Sequence, residues 1–228
     1  MAKPADQSRS LSRRLRDGLE RIGNVLRSER WGALEKTRLN PTQAQILAFL
    51  LGRGDKGARV SAVAEHIGVS QPSATDSIAS LEMKGLAARR ADPSDGRAVA
   101  VAPTEAGRAL VQKVDAVSTA TDRALAALSK TEQKEFLALL IKLIRNLQIE
   151  GAIAPQRMCV TCRYFRPHAH QNARAPHHCA YVDRPLAADS LRLDCPEHEA
   201  LAAAEQKTIW RSYDEGLSSR DATLVLPS

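Results

Sequence analysis

The chain has 228 residues, with 33 Lys+Arg against 26 Asp+Glu, a formal net charge of +7 and a pI near 9.5. That length allows one or two domains with a core of ordinary size, and an aromatic content of only 4% suits helices packed with Leu, Ala, Val and Ile. The longest apolar runs, Ile46–Leu51 and Phe136–Ile141, are far too short to cross a bilayer, and no apolar stretch follows the basic N-terminus. The expectation is therefore a cytoplasmic protein with no membrane partner, in which four cysteines are not structural disulfides.

In chain order, Leu11, Leu15, Leu19, Ile22 and Leu26 form one apolar stripe of a first long helix. Val60, Val63, Ala64 and Ile67 fall at helical spacing, and Gly68 sits where a helix ends in a left-handed turn. Ser70 is an N-cap, with Pro72 in the first turn that follows it. Ala74, Ile78 and Leu81 give the next helix its buried stripe, and Gly85 stops it. Gln71, Ser73, Thr75, Asp76 and Ser77 remain on or near its outward face, short enough to let the backbone press into a groove. Leu86–Arg90 and Val99–Ala102 read as strands around the turn-forming Asp92-Pro93-Ser94-Asp95-Gly96. This is a helix-turn-helix with a β-hairpin wing: the second helix suits a DNA major groove and Arg97 at the wing tip the adjacent minor groove.

After the wing, Thr104 can cap a helix running to about Leu128. Ser129-Lys130-Thr131-Glu132 then matches a capping box, followed by an apolar face of Phe136, Leu139, Leu140, Leu143, Ile144 and Leu147. Charge is unevenly placed. Residues 1–150 hold 24 basic and 17 acidic side chains, whereas residues 151–228 hold nine of each. The whole excess lies where phosphate neutralisation would need it. Gln71–Met83 contains no Lys or Arg, so phosphate and groove contacts fall to Arg89, Arg90 and Arg97. Arg53, Lys56 and Arg59 either join them or form a solvated loop.

Leu81-Glu82-Met83-Lys84-Gly85-Leu86, the wing Asp92-Pro93-x-Asp95-x-Arg97, and Pro103-Thr104-Glu105-Ala106-Gly107-Arg108 resemble the MarR family of transcription regulators. Leu39-Asn40-Pro41-Thr42-Gln43 fits that family's second helix. The resemblance covers roughly the first two thirds of the chain. It implies a homodimer whose terminal helices interlock and which offers two wings to a pseudo-palindromic operator in double-stranded DNA. Many members carry Arg where this chain has Asp76, so the base-reading pattern is not carried over at that position.

Gly151–Pro155 breaks the last helix and opens a different composition. All four cysteines and five of the six histidines lie between Cys159 and His198, spaced Cys159-x2-Cys162-x16-Cys179-x15-Cys195. A C-x2-C pair with two single cysteines can complete a tetrahedral thiolate set. Three readings stay open. The first is an iron–sulfur cluster, such as 4Fe-4S, on Cys159, Cys162, Cys179 and Cys195, shielded by Tyr164, Phe165 and Tyr181. The spacing is similar to that of high-potential iron–sulfur proteins, although the final gap here is longer and no aromatic residue precedes Cys195. The second is structural zinc, with all four cysteines or with His178 or His198 replacing one, alongside a small-molecule effector. The third is a metal-free thiol–disulfide switch. His177 and His178 are either neighbours supporting the ligands or loop residues; His168 and His170 read as loop. Beyond Glu199, Ala200–Arg211 reads as a short helix that Trp210 packs back on the module, and Tyr213–Ser228 as poorly ordered.

The expected architecture is mainly α with a small β-hairpin wing: a winged helix-turn-helix dimer over residues 1–150 and a cysteine-rich metal-binding extension over 151–228. The expected function is a DNA-binding regulator, a repressor, whose cysteine centre senses redox state or iron. No phosphate loop, nucleophile elbow or catalytic carboxylate pair is present, so an enzyme is not expected. The alternative from another class is a thiol oxidoreductase or electron carrier using the C-x2-C motif.

Overall fold

The computed structural model describes residues 10–35, 37–92 and 95–221. Helices α1 (Leu11–Leu34), α2 (Pro41–Leu51), α3 (Val60–Ile67) and α4 (Gln71–Met83) precede an antiparallel hairpin of β1 (Ala87–Asp92) and β2 (Asp95–Pro103). Helices α5 (Glu105–Asp115), α6 (Ala120–Ala126) and α7 (Lys130–Ile149) follow. The cysteine segment carries three short strands, β3 (Phe165–Arg166), β4 (His177–Cys179) and β5 (Arg184–Leu186), in antiparallel order β3-β4-β5. Helix α8 (Ala203–Asp221) closes the described chain.

Local chemistry sets the boundaries. Asn40 accepts from the Gln43 N–H at 2.8 Å, and the Gln43 side chain accepts from the Asn40 N–H, so α2 starts on a complete capping box. Gly68 ends α3 at φ +74°, a left-handed position that costs glycine little, and the Ser70 hydroxyl accepts from the Ser73 N–H to begin α4. Together they make the tight turn between the two helices. In the wing, Ala58 joins the hairpin by exchanging backbone hydrogen bonds with Val101 at 2.9 and 2.8 Å.

Two cores result. Ile46, Leu47, Leu50, Val63, Ile78 and Leu81 are wholly buried in the first, which holds α2, α3 and α4 against the wing. Met158, Val160, Phe165, Leu191 and Tyr213 build the second, and Ile141 of α7 packs into it. Helix α7 therefore holds the cysteine segment on one side. Leu139, Leu143 and Leu147 on the same helix stay exposed, as do Leu11, Leu15, Leu19, Ile22 and Leu26 of α1. A single chain leaves these stripes unburied instead of using them as an internal core.

Two expectations need correction. The helix expected from Thr104 to about Leu128 is broken after Asp115. Thr119 there forms a capping box with Asp122 and starts a new helix, and Thr121 donates from its N–H and hydroxyl to Glu29 of α1 at 2.9 and 2.7 Å. A local cap thus overrides the continuing pattern. The tail expected to be poorly ordered from Tyr213 is helical to Asp221, because Tyr213 is 1% exposed and packs among Phe165, His177 and Trp210. The expected contact of Trp210 with the module is present; residues 222–228 of that expectation lie outside the described residues.

Candidate nucleic-acid interface and candidate metal centre

Helix α4 buries Ala74, Ile78 and Leu81 and turns Gln71, Ser73 and Asp76 outward, with Thr75 and Ser77 half-buried beside them. The Thr75 hydroxyl donates to the Gln71 carbonyl at 2.9 Å, and the Ser70 and Ser73 hydroxyls lie 2.8 Å apart. The face is thus polar, short and free of cationic side chains. Buried Gln43 of α2 fixes its rear: it donates to the Ser80 hydroxyl at 3.0 Å and accepts from Lys84 Nζ at 2.8 Å. Arg97 is exposed on β2, its N–H donating to Asp95 at 3.2 Å. Arg89 pairs with Glu82 at 3.1 Å, and Arg90 donates to the Asp55 carbonyl at 3.3 Å, both at the exposed surface.

The upstream basic residues have mostly other partners. Arg59 binds Asp92 at 2.7 Å and Asp95 at 3.1 Å and so braces the base of the wing turn; these carboxylates also raise its pKa. Arg53 lies over the Phe49 ring, 4.1 Å from its centroid, and pairs with Asp194 of the cysteine segment. Arg53 is not a solvated loop cation, and its role is one that only the folded chain reveals, whereas Arg59 keeps an exposed side chain.

Cys159, Cys162, Cys179 and Cys195 line one cavity of about 170 Å³. Its walls include Tyr164, Phe165, Tyr181, Val182 and Leu186, so the three aromatic residues expected to shield the cysteines do stand around them. Cys159 and Cys162 come from a 3-10 turn after Met158, Cys179 from the end of β4, and Cys195 from the loop before α8. The Arg192 N–H donates to Cys159 Sγ at 3.2 Å and its guanidinium to Cys195 Sγ at 3.7 Å. Burial pushes the Cys159 thiol up to about 11, so it is a neutral, weakly nucleophilic thiol until something draws off its proton, and burial also raises that of Cys195. Among the described residues, no three His, Cys, Asp or Glu side chains converge closely enough to hold a single ion. His198 instead bonds the Thr161 hydroxyl at 3.0 Å, and His178 meets His170 at 3.2 Å and Asp183 at 3.3 Å.

Residues 39–98 match the family model described as MarR family. The HTH-type transcriptional repressor Rv2887 of Mycobacterium tuberculosis is 34% identical over 126 residues, which is 55% of this chain and 89% of that protein. The same figures hold for the HTH-type transcriptional repressor Mb2911 of Mycobacterium bovis. The chain belongs to the MarR family. Among solved structures, CouR from Rhodococcus jostii, bound to p-coumaroyl-CoA, has a TM-score of 0.50 at 26% identity, covering 65% of this chain and 98% of CouR.

As a MarR-family transcription regulator, the chain has its winged helix assembled around α4 and the wing as its sequence predicts. Three features were not legible beforehand. The sequence marks Gln43 only as part of a motif, yet it positions α4. His177 is 1% exposed and packs on Tyr213, and His168, in the turn between β3 and β4 as a loop residue, lays its half-buried ring against both. Arg192 carried no signal beyond its nearness to Cys195. No helix among the described residues is long and apolar enough to cross a membrane.

Proposed function

We propose that this MarR-family regulator acts as a homodimeric, cytoplasmic repressor that binds a pseudo-palindromic operator in double-stranded DNA and carries an iron–sulfur cluster on Cys159, Cys162, Cys179 and Cys195. Gln71, Ser73, Thr75, Asp76 and Ser77 face the base edges, Arg97 enters the flanking minor groove, and Arg89 and Arg90 contact phosphate. The exposed stripes of α1 and α7 support the dimer, since their burial between two copies would remove a large apolar surface from water. Repression is the activity named for the two mycobacterial relatives.

The observation that carries the cluster reading is the shared cavity of about 170 Å³ among the four thiols. Four thiolates on one zinc stand about 2.3 Å from it and hence about 3.8 Å from each other. The cavity these four line, walled by aromatic and aliphatic side chains, supports the reading of a multi-atom group. Arg192 places two N–H donors on the sulfurs, the kind of contact that stabilises electron-rich ligands and sets a cluster's potential. When bound, the cluster supplies sensitivity to electron transfer and to iron supply.

The test is metal and acid-labile sulfide analysis of anaerobically purified protein, followed by operator titration of loaded and chelator-stripped samples at one salt concentration. Iron and sulfide in equal amounts, with different affinities in the two states, are the expected result. One zinc per chain would replace the sensor with a structural site. Equal affinities would leave the cluster without a regulatory part.

A further inference from the structure

The loop carrying Cys195 meets the helix-turn-helix in a compact polar joint. Asp194, the neighbour of Cys195, accepts from Arg157 Nε at 2.7 Å and from Arg53 Nη1 at 3.2 Å. The two arginine side chains are only 17% and 15% exposed. Arg157 donates further to the Gly52 carbonyl at 2.9 Å and to the Pro196 carbonyl at 3.4 Å, while the Cys195 N–H donates to the Arg157 carbonyl at 2.9 Å. Gly52 caps α2 in ordinary helical conformation, but a Cβ there would meet Asp194 Oδ2 at 2.9 Å. From Arg53 the joint continues inward: its guanidinium covers Phe49, whose ring lies 4.3 Å from that of His66 on α3.

We propose that Asp194 is the positioning residue through which occupancy of the cysteine centre alters operator binding. The proposal rests on the cluster reading above and names how that centre is read out. When Cys195 is a ligand, its backbone is held, and with it the carboxylate one residue earlier and the Arg157 carbonyl. Asp194 then clamps the end of α2 through Arg157 and Gly52, and the start of the helix-turn-helix through Arg53, Phe49 and His66. When the centre is lost, the loop loosens. Two largely buried guanidinium groups lose their shared counter-ion, a state that favours rearrangement of the joint over leaving the charges in place. Because α3 packs directly on α4, a shift at the end of α2 changes how α4 is presented to DNA.

The experiment measures operator affinity of loaded and chelator-stripped protein for wild type, Asp194→Asn, Arg53→Gln and Arg53→Lys, with iron and sulfide content determined for each. The wild-type ratio of the two affinities is expected at about 5–150-fold, the usual range of coupling between sites. Asp194→Asn and Arg53→Gln are expected to bring the ratio near one while iron content stays at the wild-type level. Arg53→Lys should restore part of the ratio, because its ammonium still reaches the carboxylate though without the planar fork. Arg53 lies outside the cysteine segment, so Arg53→Gln decides the matter even where Asp194→Asn fails to load. A wild-type ratio kept in full by Arg53→Gln overturns the proposal and leaves the sensor reading standing. A ratio of one in the wild type itself overturns both.

Discussion

In the winged helix, Ile46, Leu47, Leu50, Ile78 and Leu81 are wholly buried, all of them supplied by helices with apolar residues at helical spacing. The cysteine segment buries Met158, Phe165, His177 and Tyr213 from a chain whose strands are two or three residues long. The first region closes its backbone hydrogen bonds within regular helices and a hairpin. The second closes them in 3-10 turns and single long-range links, such as Cys159 N–H to the Arg192 carbonyl at 3.0 Å and Arg163 N–H to the Glu199 carbonyl at 2.9 Å. Small folds of the second kind gain much of their stability from a bound group that holds distant segments together. With the proposed centre bound, the two regions would differ in what unfolds them.

That contrast can be broken most sharply at Leu50, which has no exposed surface. Leu50→Ala is expected to cost the winged helix about 2–5 kcal/mol, as other buried truncations do. Iron content per folded chain should stay unchanged. Denaturant unfolding followed by far-UV circular dichroism and by cluster absorbance separates the two regions, and loss of both signals together would make them one cooperative unit.

A smaller effect is expected at the wing. Arg97→Ala should weaken operator binding by about 1–3 kcal/mol with the dimer intact. The loss should be the same in loaded and stripped protein, because Arg97 lies outside the joint at Asp194. Fluorescence anisotropy across a salt series checks this, and an unchanged affinity at every salt concentration would remove Arg97 from the interface.

The smallest effect concerns pH. Burial holds the His66 pKa below its ordinary value of 6.5, with Asp194 acting in the opposite direction. The folded protein therefore binds fewer protons at this site than the unfolded chain does. Stability contributed here is present above pH 6.5 and is lost as the pH falls from 6.5 through the lower folded value. His66→Phe, which keeps the ring against Phe49, should flatten the dependence of the melting temperature on pH in that window. An identical slope in wild type and variant would show that the loss arises elsewhere.

The parts of the fold that were legible in the sequence are those fixed by short-range chemistry. Ser70, Thr104 and the Ser129–Glu132 box cap helices where their spacing says they should, and Gly68 and Gly85 take the positive φ their positions require. The break at residues 116–119 was missed because the apolar pattern continues through it, and only the pairing of Thr121 with Glu29 shows why a new helix begins there. Tyr213 departs from its expected disorder for a related reason: it lies in a polar stretch, and its burial depends on partners far away in sequence. Spacing alone identified the four cysteines. It could not show that they share a cavity, nor that the residue beside the last of them is bound to the end of α2.

Gly52 is constrained by space and not by conformation. Its backbone makes no demand for glycine, since φ is −63°, and the restriction comes from a carboxylate contributed by the appended segment. Without the segment after Pro155, the nearest atom left to a Cβ at residue 52 would be the Phe49 carbonyl oxygen at 3.4 Å, an ordinary contact. With the segment in place, a side chain at residue 52 would press on Asp194 Oδ2, and the carboxylate would have to shift. Residue 52 is therefore a position at which a side chain of the cysteine segment limits the room left to the winged helix.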